Sequence, residues 1–174
     1  MSTPTLVATP GSASANTYAT LVEADAYHDT RLSNSDWTGA SEDTKNTALL
    51  MGTRLLDNMY DWSGTTVDDT QVLAWPRSGM IDELDRDFID DTVIPQALKD
   101  ALAELAFQLI IEDRTLDNDI ESQKITSLTA GPVGLSFGEG VTAKVIPDAV
   151  FYLIPNWWGR ARGRRQAVRD LLRG

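Results

Sequence analysis

Apolar residues recur at the three- and four-residue spacing of an α-helix in several parts of the chain. The strongest stripe lies between residues 94 and 111 and predicts the central core helix, with Pro95 in the first turn, where its missing N–H costs nothing. A second stripe, over residues 48–59, predicts a helix that begins after Ser41 and ends near Tyr60. The core is therefore expected to be helical.

Two further helices are predicted at the edges of this core. Thr20 followed by Glu23 forms a capping-box pattern, which predicts a helix from about Leu21 to Arg31. Pro147 is typical of the start of another, shorter helix, and Pro155 would end it.

Strands are expected in one region. Residues 124–146 alternate between apolar and polar positions with Gly and Pro between them, which predicts two or three short strands and a hairpin turn at 138–140. Turn-forming residues around Trp37 and over 61–70 predict loops. The expected fold class is mainly α: a small helical bundle with three to four core helices, a short β-hairpin, and extended N- and C-terminal arms.

The length of 174 residues corresponds to about one domain. Residues 1–17 are rich in Ser, Thr, Ala and Pro and are predicted to be a flexible N-terminal arm. Residues 18–156 form the predicted helical domain with its small β element, and residues 157–174 a basic C-terminal tail or helix.

The segment QVLAWPRSGM, residues 71–80, carries an unusual Trp-Pro-Arg triplet. Pro76 lacks an N–H and favours an extended conformation at Trp75, so the segment is predicted to be a shaped loop. We expect Trp75 to fill the helical core from this loop, and Arg77 to pair with an acid such as Asp57 or one on a neighbouring subunit.

Residues that could support catalysis or metal binding are few. The chain has no cysteine and one histidine, His28, which disfavours thiol chemistry, a histidine-based metal cage and a Ser-His-Asp triad. Asp25 and His28 would be neighbours on a helix face, which explains both without catalysis. The acidic run at 82–91 lacks the spacing of a calcium loop. We therefore expect no enzyme activity, no metal and no cofactor.

Charge divides the chain into two parts. The net charge is −11, yet residues 159–174 hold six arginines and one aspartate, a net charge of +5. Residues 1–158 hold nine basic and 25 acidic side chains, a net charge of −16. No stretch of 18 apolar residues occurs, so no membrane partner is expected.

The basic C-terminal segment supports two interpretations. Its apolar stripe, with Ala167 and Val168 beside two leucines, cannot be buried by so short a helix alone, so docking on an acidic protein surface is the favoured one. The alternative is a nucleic-acid footprint, in which cations bind phosphates and rings stack on bases. The residues predicted to dock on a partner protein or a neighbouring subunit are Trp157, Trp158, Arg160, Arg162, Arg164, Arg165, Arg169, Leu171 and Leu172.

Four segments follow one another in a distinctive order between residues 17 and 111: TYATLVEADAYHDTR, KNTALLMGTRLLDNMYDWSG, QVLAWPRSGM and VIPQALKDALAELAFQL. This order resembles a phage-encoded family labelled DnaT-like single-stranded-DNA-binding protein, which itself looks like the head-to-tail connector, or adaptor, proteins of tailed phages. The positions that match the family pattern are Tyr18, Glu23, Ala24, Asp25, Tyr27, Arg31, Arg54, Asp57, Gln71, Leu73, Trp75, Pro76, Arg77, Pro95, Ala101, Glu104 and Ala106.

The resemblance implies a structural virion protein. It would form a homo-oligomeric ring, commonly of 12 copies, in the virion neck, after synthesis in the bacterial cytoplasm. Its partners would be the portal protein, tail or stopper proteins, and genomic double-stranded DNA that passes without specific binding. An acidic wall would suit such a channel, because fixed cations would hold phosphates. The alternative function is single-stranded-DNA binding in phage replication.

Overall fold

The computed structural model describes residues 3–82, 87–113, 115, 127–130, 133–136 and 145–162, with 127–130 and 133–136 described in backbone course alone. Within these residues the chain forms five helices. They are α1 (Leu21–Asp29), α2 (Ser35–Gly39), α3 (Glu42–Met59), α4 (Gln96–Ile111) and α5 (Asp148–Leu153).

The predicted helices are confirmed, with shifts of one or two residues at their ends. The capping box at the start of α1 is present, because the Thr20 side chain accepts from the Glu23 N–H and the Glu23 carboxylate accepts from the Thr20 N–H. Ser41 caps α3 by accepting from the Thr44 N–H. Helix α2 was not predicted. Its single turn is too short to show a period, and we expected a loop around Trp37.

Helix α4 lies at the centre of the core, and α1, α2, α3 and α5 all pack against it. Its buried residues include Leu98, Leu102 and Leu105. Gly52 of α3 allows a close approach of the two longest helices, because a Cβ atom there would lie 2.9 Å from Leu102 Cδ1. The predicted position of α4 in the core is confirmed.

The described residues also form short strands. They are β1 (Tyr60–Trp62), β2 (Thr65–Thr66), β3 (Arg77–Ser78), β4 (Ile81–Asp82), β5 (Asp87–Phe88), β6 (Ser127–Ala130), β7 (Val133–Ser136) and β8 (Gly159–Ala161). They form four two-stranded antiparallel sheets, β1–β8, β2–β3, β4–β5 and β6–β7. In the β6–β7 pair Ala130 is the partner of Val133, and the turn predicted at 138–140 lies outside the described residues.

The predicted fold class of a helical bundle is wrong. The fold is mixed α and β, with small antiparallel sheets beside helices that pack on α4. The error has a physical cause, since strands of two or three residues show no period of two, and we interpreted residues 61–93 as loops. In β1–β8 the partners Tyr60 and Ala161 are about 100 positions apart, so no local pattern could reveal their pairing.

The segment before α1 contacts the rest of the structure. The Val7 N–H donates to Asn16 Oδ1 at 2.7 Å, and the Asn46 side chain donates to the Pro4 carbonyl at 3.0 Å. Thr17 is buried, and Leu6 packs against the core. The division into an arm, a domain and a tail at residues 17 and 157 stays a prediction. None of the described helices is both long enough and apolar enough to cross a membrane.

An aromatic cluster forms one end of the core. Trp75 is 1% exposed, and its ring centroid lies 5.6 Å from that of Trp62 and 5.1 Å from that of Trp158. The peptide bond between Trp75 and Pro76 is cis. The prediction that Trp75 fills the core from a loop is confirmed, and its neighbours come from β1 and from the turn before β8.

Replacing Trp75 by Ala is expected to lower the free energy of unfolding by about 3 to 5 kcal/mol, because the change leaves a cavity among the aromatic rings. Urea denaturation followed by tryptophan fluorescence measures it. Val72→Ala is the control, because Val72 lies in the same loop and is largely exposed, and a change within about 0.5 kcal/mol is expected there. Equal unfolding curves for Trp75→Ala and the parent would contradict this role.

Candidate functional site

Asp57, on α3, holds the Trp-Pro-Arg loop against the helices. One of its carboxylate oxygens accepts a hydrogen bond from the Tyr18 hydroxyl, and the other accepts from the Ala74 N–H at 3.2 Å. Burial raises the pKa of Asp57, while the Tyr18 and Ala74 bonds and the positive charge of Arg77 oppose that rise. Burial and the Asp57 charge raise the pKa of Tyr18 well above its ordinary value. Both groups are bonded to each other inside the fold.

The positive charge of Arg77 opposes the rise that burial causes in the pKa of Asp57. The N–H groups of Arg77, however, donate to carbonyl oxygens. They bind the carbonyls of Ser63, Gly64 and Ala74, the last two at 2.7 and 2.9 Å. The predicted direct ion pair with Asp57 is thus replaced by bonds that join β3 to the β1–β2 turn. A guanidinium group can satisfy several carbonyls at once because its donors point in fixed directions.

Glu104 links α4 to α1. Although it is buried, it accepts from the Arg31 guanidinium, from the Tyr27 hydroxyl at 3.3 Å and from the Gln108 amide at 3.0 Å. The Arg31 guanidinium carbon also lies 4.2 Å from the Phe107 ring centroid. Burial, followed by the Glu104 charge, raises the pKa of Tyr27 to about 12. The carboxylate is fully engaged inside the fold.

Two more acids of α1 make similar links. Asp25 accepts from Trp37 Nε1 at 2.8 Å and from Lys45 Nζ at 2.9 Å. Glu23 caps the helix and pairs with Lys99 at 2.5 Å. The acids of α1 and α4 that belong to the family resemblance, Glu23, Asp25 and Glu104, thus join segments of the fold. Arg54, another of the matching positions, is exposed on α3.

His28 is also part of the core. Its ring lies 4.2 Å from that of Trp37 and 5.4 Å from that of Phe107, between centroids, and its Nε2 is 3.1 Å from the Ala103 carbonyl. Its Nδ1 is buried without a hydrogen-bond partner. Burial lowers the pKa of His28. The negative charge of Asp25, the predicted neighbour, opposes this lowering of the pKa only weakly. The His28 ring is fully buried.

We expect the fold to lose stability when the pH falls from about 7.5 to about 5.5. The unfolded chain binds a proton near the ordinary pKa of 6.5, whereas folded His28, with its lowered pKa, binds it at lower pH. The loss is at most about 1.4 kcal/mol per pH unit for this one group. Thermal melting at both pH values measures this loss of stability, and the His28→Gln variant should lose less stability over the same pH interval. An identical pH dependence of variant and parent would contradict the prediction.

The predicted C-terminal docking residues that the structure describes lie partly in the core and partly at the surface. Trp158 is buried beside Trp75, and Trp157 is half-buried, with its carbonyl accepting from the Ser63 hydroxyl at 3.2 Å. The Trp158 carbonyl accepts from the Ser63 N–H at 2.8 Å. Both tryptophans therefore anchor the chain that leads into β8. Whether they also dock on a partner stays a prediction.

Strand β8 fixes the start of the basic segment. Gly159 lies against β1 so closely that a Cβ atom would meet the Asp61 carbonyl oxygen at 2.9 Å. Arg160 faces Asp61 across the ribbon and is exposed, while Arg162 pairs with Asp61 at 2.7 Å. The Arg162 N–H also donates to the Met59 carbonyl at 2.7 Å. Arg164, Arg165, Arg169, Leu171 and Leu172 lie outside the described residues.

Tyr152, on α5, is an exposed aromatic residue in the described part of the chain. Its neighbour Phe151 turns inward and lies 5.8 Å from the Tyr60 ring centroid, and Tyr60 is the partner of Ala161 in the β1–β8 pair. Tyr152 itself is 82% exposed. The described surface thus offers an exposed ring on α5 and, on β8, the exposed side chain of Arg160.

The described part of the chain contains no group of three or more His, Asp or Glu side chains that could hold a metal ion. The absence of a metal stays a prediction. Of the acidic run at 82–91, residues 83–86 lie outside the described ranges. Asp90 accepts from the Thr92 N–H and hydroxyl, which lowers the pKa of Asp90. This carboxylate is engaged in its own turn.

A comparison with family models gives one match, described as "Putative DnaT-like ssDNA binding protein", over residues 5–174. The chain belongs to this family. No curated protein matches the chain, and no solved structure matches it.

Membership of the DnaT-like family corrects the main functional prediction. The family description names single-stranded-DNA binding, so the predicted head-to-tail adaptor, its ring of 12 copies and its portal and tail partners are wrong. The predicted passage of DNA without specific binding is wrong for the same reason. The family description agrees with the alternative prediction. The family match also extends through the basic segment, beyond the residues 17–111 that carried the resemblance.

For a member of this family, the sequence prediction missed Tyr152 as a candidate contact. Tyr152 follows Phe151 in a helix of six residues, which is too short to show a helical period. The sequence alone therefore does not say which of the two rings faces inward. The six arginines were visible from charge patterning, because a cluster of one sign stands out in an acidic chain.

Proposed function

We propose that the protein binds single-stranded DNA through its basic C-terminal segment, residues 159–174, together with the exposed ring of Tyr152. The observation that carries the proposal is the position of Arg160. It lies exposed on β8, at the start of a segment with a net charge of +5, while the preceding residues carry −16. The family description supports the same class of ligand.

The charge distribution directs DNA to one part of the molecule. Phosphates are attracted by arginines and repelled by carboxylates, so an acidic body disfavours contacts elsewhere. Arginine also stacks on bases and binds phosphate with two donors. A single strand exposes the faces of its bases to rings and guanidinium groups, whereas a duplex hides them in its stack. The combination of a tyrosine and arginines therefore favours a single strand.

The anchoring of β8 explains how a short basic segment can act from a defined place. The ribbon with β1, the buried Trp158 and the Arg162–Asp61 pair hold the chain up to residue 162. The segment 163–174 follows with four more arginines. A truncation that preserves the described body therefore begins after Arg162. The absence of enzyme activity stays a prediction.

Fluorescence anisotropy with a labelled oligo(dT) of about 20 nucleotides tests the proposal. We expect a Kd in the micromolar range or tighter at about 50 mM salt, with steep weakening by about 200 mM. Replacing Arg164, Arg165, Arg169 and Arg173 by Gln should reduce the salt slope by up to about 3, at about 0.7 per phosphate contact. The matched control replaces the same four residues by Lys and should keep most of the slope.

Two results would overturn the proposal. One is the absence of any anisotropy change at low salt with the parent protein. The other is equal affinity of the parent and the four-Gln variant. Tighter binding to a duplex of the same length would contradict the choice of a single strand. Because the four arginines lie beyond Arg162, equal melting temperatures of the variants will show that the body is intact.

Tyr152→Ala is expected to weaken oligo(dT) binding by about 1 to 3 kcal/mol, or about 5- to 150-fold, because stacking of one base on an aromatic ring contributes that much. Tyr152→Phe keeps the ring and should bind like the parent. Phe88→Ala removes an exposed ring from the acidic β4–β5 hairpin and should leave affinity unchanged. An equal loss for Tyr152→Ala and Phe88→Ala would contradict a specific stacking role.

A further inference from the structure

A surface groove lies between the first half of α3 and the end of α4. Its volume is about 360 Å³. The residues that line it are Asp43, Thr44, Thr47, Ala48, Met51, Leu109, Ile110 and Asp113. The floor is apolar, formed by Met51 and Ile110 among others, and an aspartate stands at each of two positions of the rim.

The rim acids are available for a cationic partner. The described part of the chain shows ion pairs of Arg31, Lys45, Lys99 and Arg162 with other acids, and none of these pairs uses Asp43 or Asp113. Asp113 accepts from the Thr115 N–H and hydroxyl, which leaves its charge uncompensated. Beside the groove, Ile111 is 53% exposed. An occupant should therefore combine apolar side chains with positive charge.

The C-terminal residues of the same chain have this chemistry. Residues 163–174 contain four arginines and one aspartate, and the apolar residues among them are spaced at three and four positions. These apolar residues are Ala167, Val168, Leu171 and Leu172. The surface that the groove offers is complementary to them in both polarity and charge.

The segment is also long enough to reach the groove. Arg162 is bonded to Met59 at the end of α3, and Thr47 lies twelve residues earlier on that helix, about 18 Å away along its axis. The twelve residues from 163 to 174 span about 18 Å if helical and about 40 Å if fully extended. Either conformation places the apolar stripe within reach.

We propose that the groove between α3 and α4 binds the C-terminal segment of its own chain, with the apolar stripe on Met51 and Ile110 and the arginines beside Asp43 and Asp113. The same arginines are the phosphate contacts of the proposed function. The second half of the inference is that the groove and single-stranded DNA compete for the segment, and this half rests on the proposed function. When the segment occupies the groove, the acidic body competes with DNA for the same arginines.

Disulfide trapping tests the docking without DNA. The chain contains no cysteine, so Thr47→Cys on the groove rim and Gly174→Cys at the chain end make the sole thiol pair. The matched control pairs Gly174→Cys with Asn58→Cys. Asn58 is exposed on the same face of α3, since eleven residues are close to three full turns, and it lies nearer to Arg162. A freely moving segment would therefore oxidise with position 58 at least as fast as with position 47.

We expect the Thr47 pair to form an intramolecular disulfide faster than the Asn58 pair, as followed by loss of free thiols and by mobility on a non-reducing gel. Equal rates, or a faster Asn58 pair, would overturn the docking. A disulfide-linked dimer from the Thr47 pair would also overturn it, because the occupant would then be a second copy. Replacing Leu171 and Leu172 by Ser in the Thr47 pair should slow trapping to the rate of the Asn58 pair.

Competition is tested by repeating the trapping with oligo(dT) present. Saturating oligo(dT) should slow the Thr47 disulfide, and the Leu171→Ser, Leu172→Ser variant should bind oligo(dT) about five-fold or more tightly than the parent. Trapping that oligo(dT) does not slow, together with normal oligo(dT) binding, would overturn the competition. If trapping occurs and oligo(dT) does not bind at all, the proposed function fails and the docking stands, so the two failures are distinguishable.

Discussion

Much of the structure depends on the half-buried carboxylate of Asp57. It joins the segment before α1, through Tyr18, to the loop after β2, through the Ala74 N–H. The next residue of that loop, Trp75, enters the core, and Trp158 packs on it. Gly159 then begins β8. One carboxylate on α3 therefore positions, through two tryptophans, the strand from which the basic segment extends. A charge that is partly removed from water costs free energy unless it is bonded, so loss of the Tyr18 or the Ala74 bond would leave one oxygen of Asp57 without its partner.

The polar side chains that looked most distinctive have structural roles. Asp25, Arg31 and Glu104 each bond residues from another element, and His28 lies between aromatic rings. Groups of this kind give a small helical core a unique arrangement, because each buried donor or acceptor has few geometries that satisfy it. Interaction with a ligand is left to the surface, where the described residues expose arginine, tyrosine and carboxylate side chains among others.

Helix-level features could be predicted from the sequence, and contacts between distant segments could not. The capping residues Thr20 and Ser41 and the apolar stripe of α4 are local signals, and they gave three helices within two residues. The β1–β8 pair depends on Gly159 fitting against Asp61, and two-residue strands such as β2 have no pattern of their own. The cations of the candidate site were visible in composition, whereas the exposure of Tyr152 followed from the packing of Phe151.

The acidic body of the chain repels a polyanion such as DNA, whereas the basic segment attracts it. Carboxylates repel phosphates within about 10 Å at moderate salt, so DNA bound at the segment gains most when the segment moves away from the body. The same carboxylates attract the arginines when DNA is absent. Salt weakens both attractions, but apolar contacts such as those offered by Met51 and Ile110 are not screened. The apolar floor of the groove therefore favours the body over DNA as salt rises, which steepens the salt dependence of DNA binding beyond phosphate contacts alone.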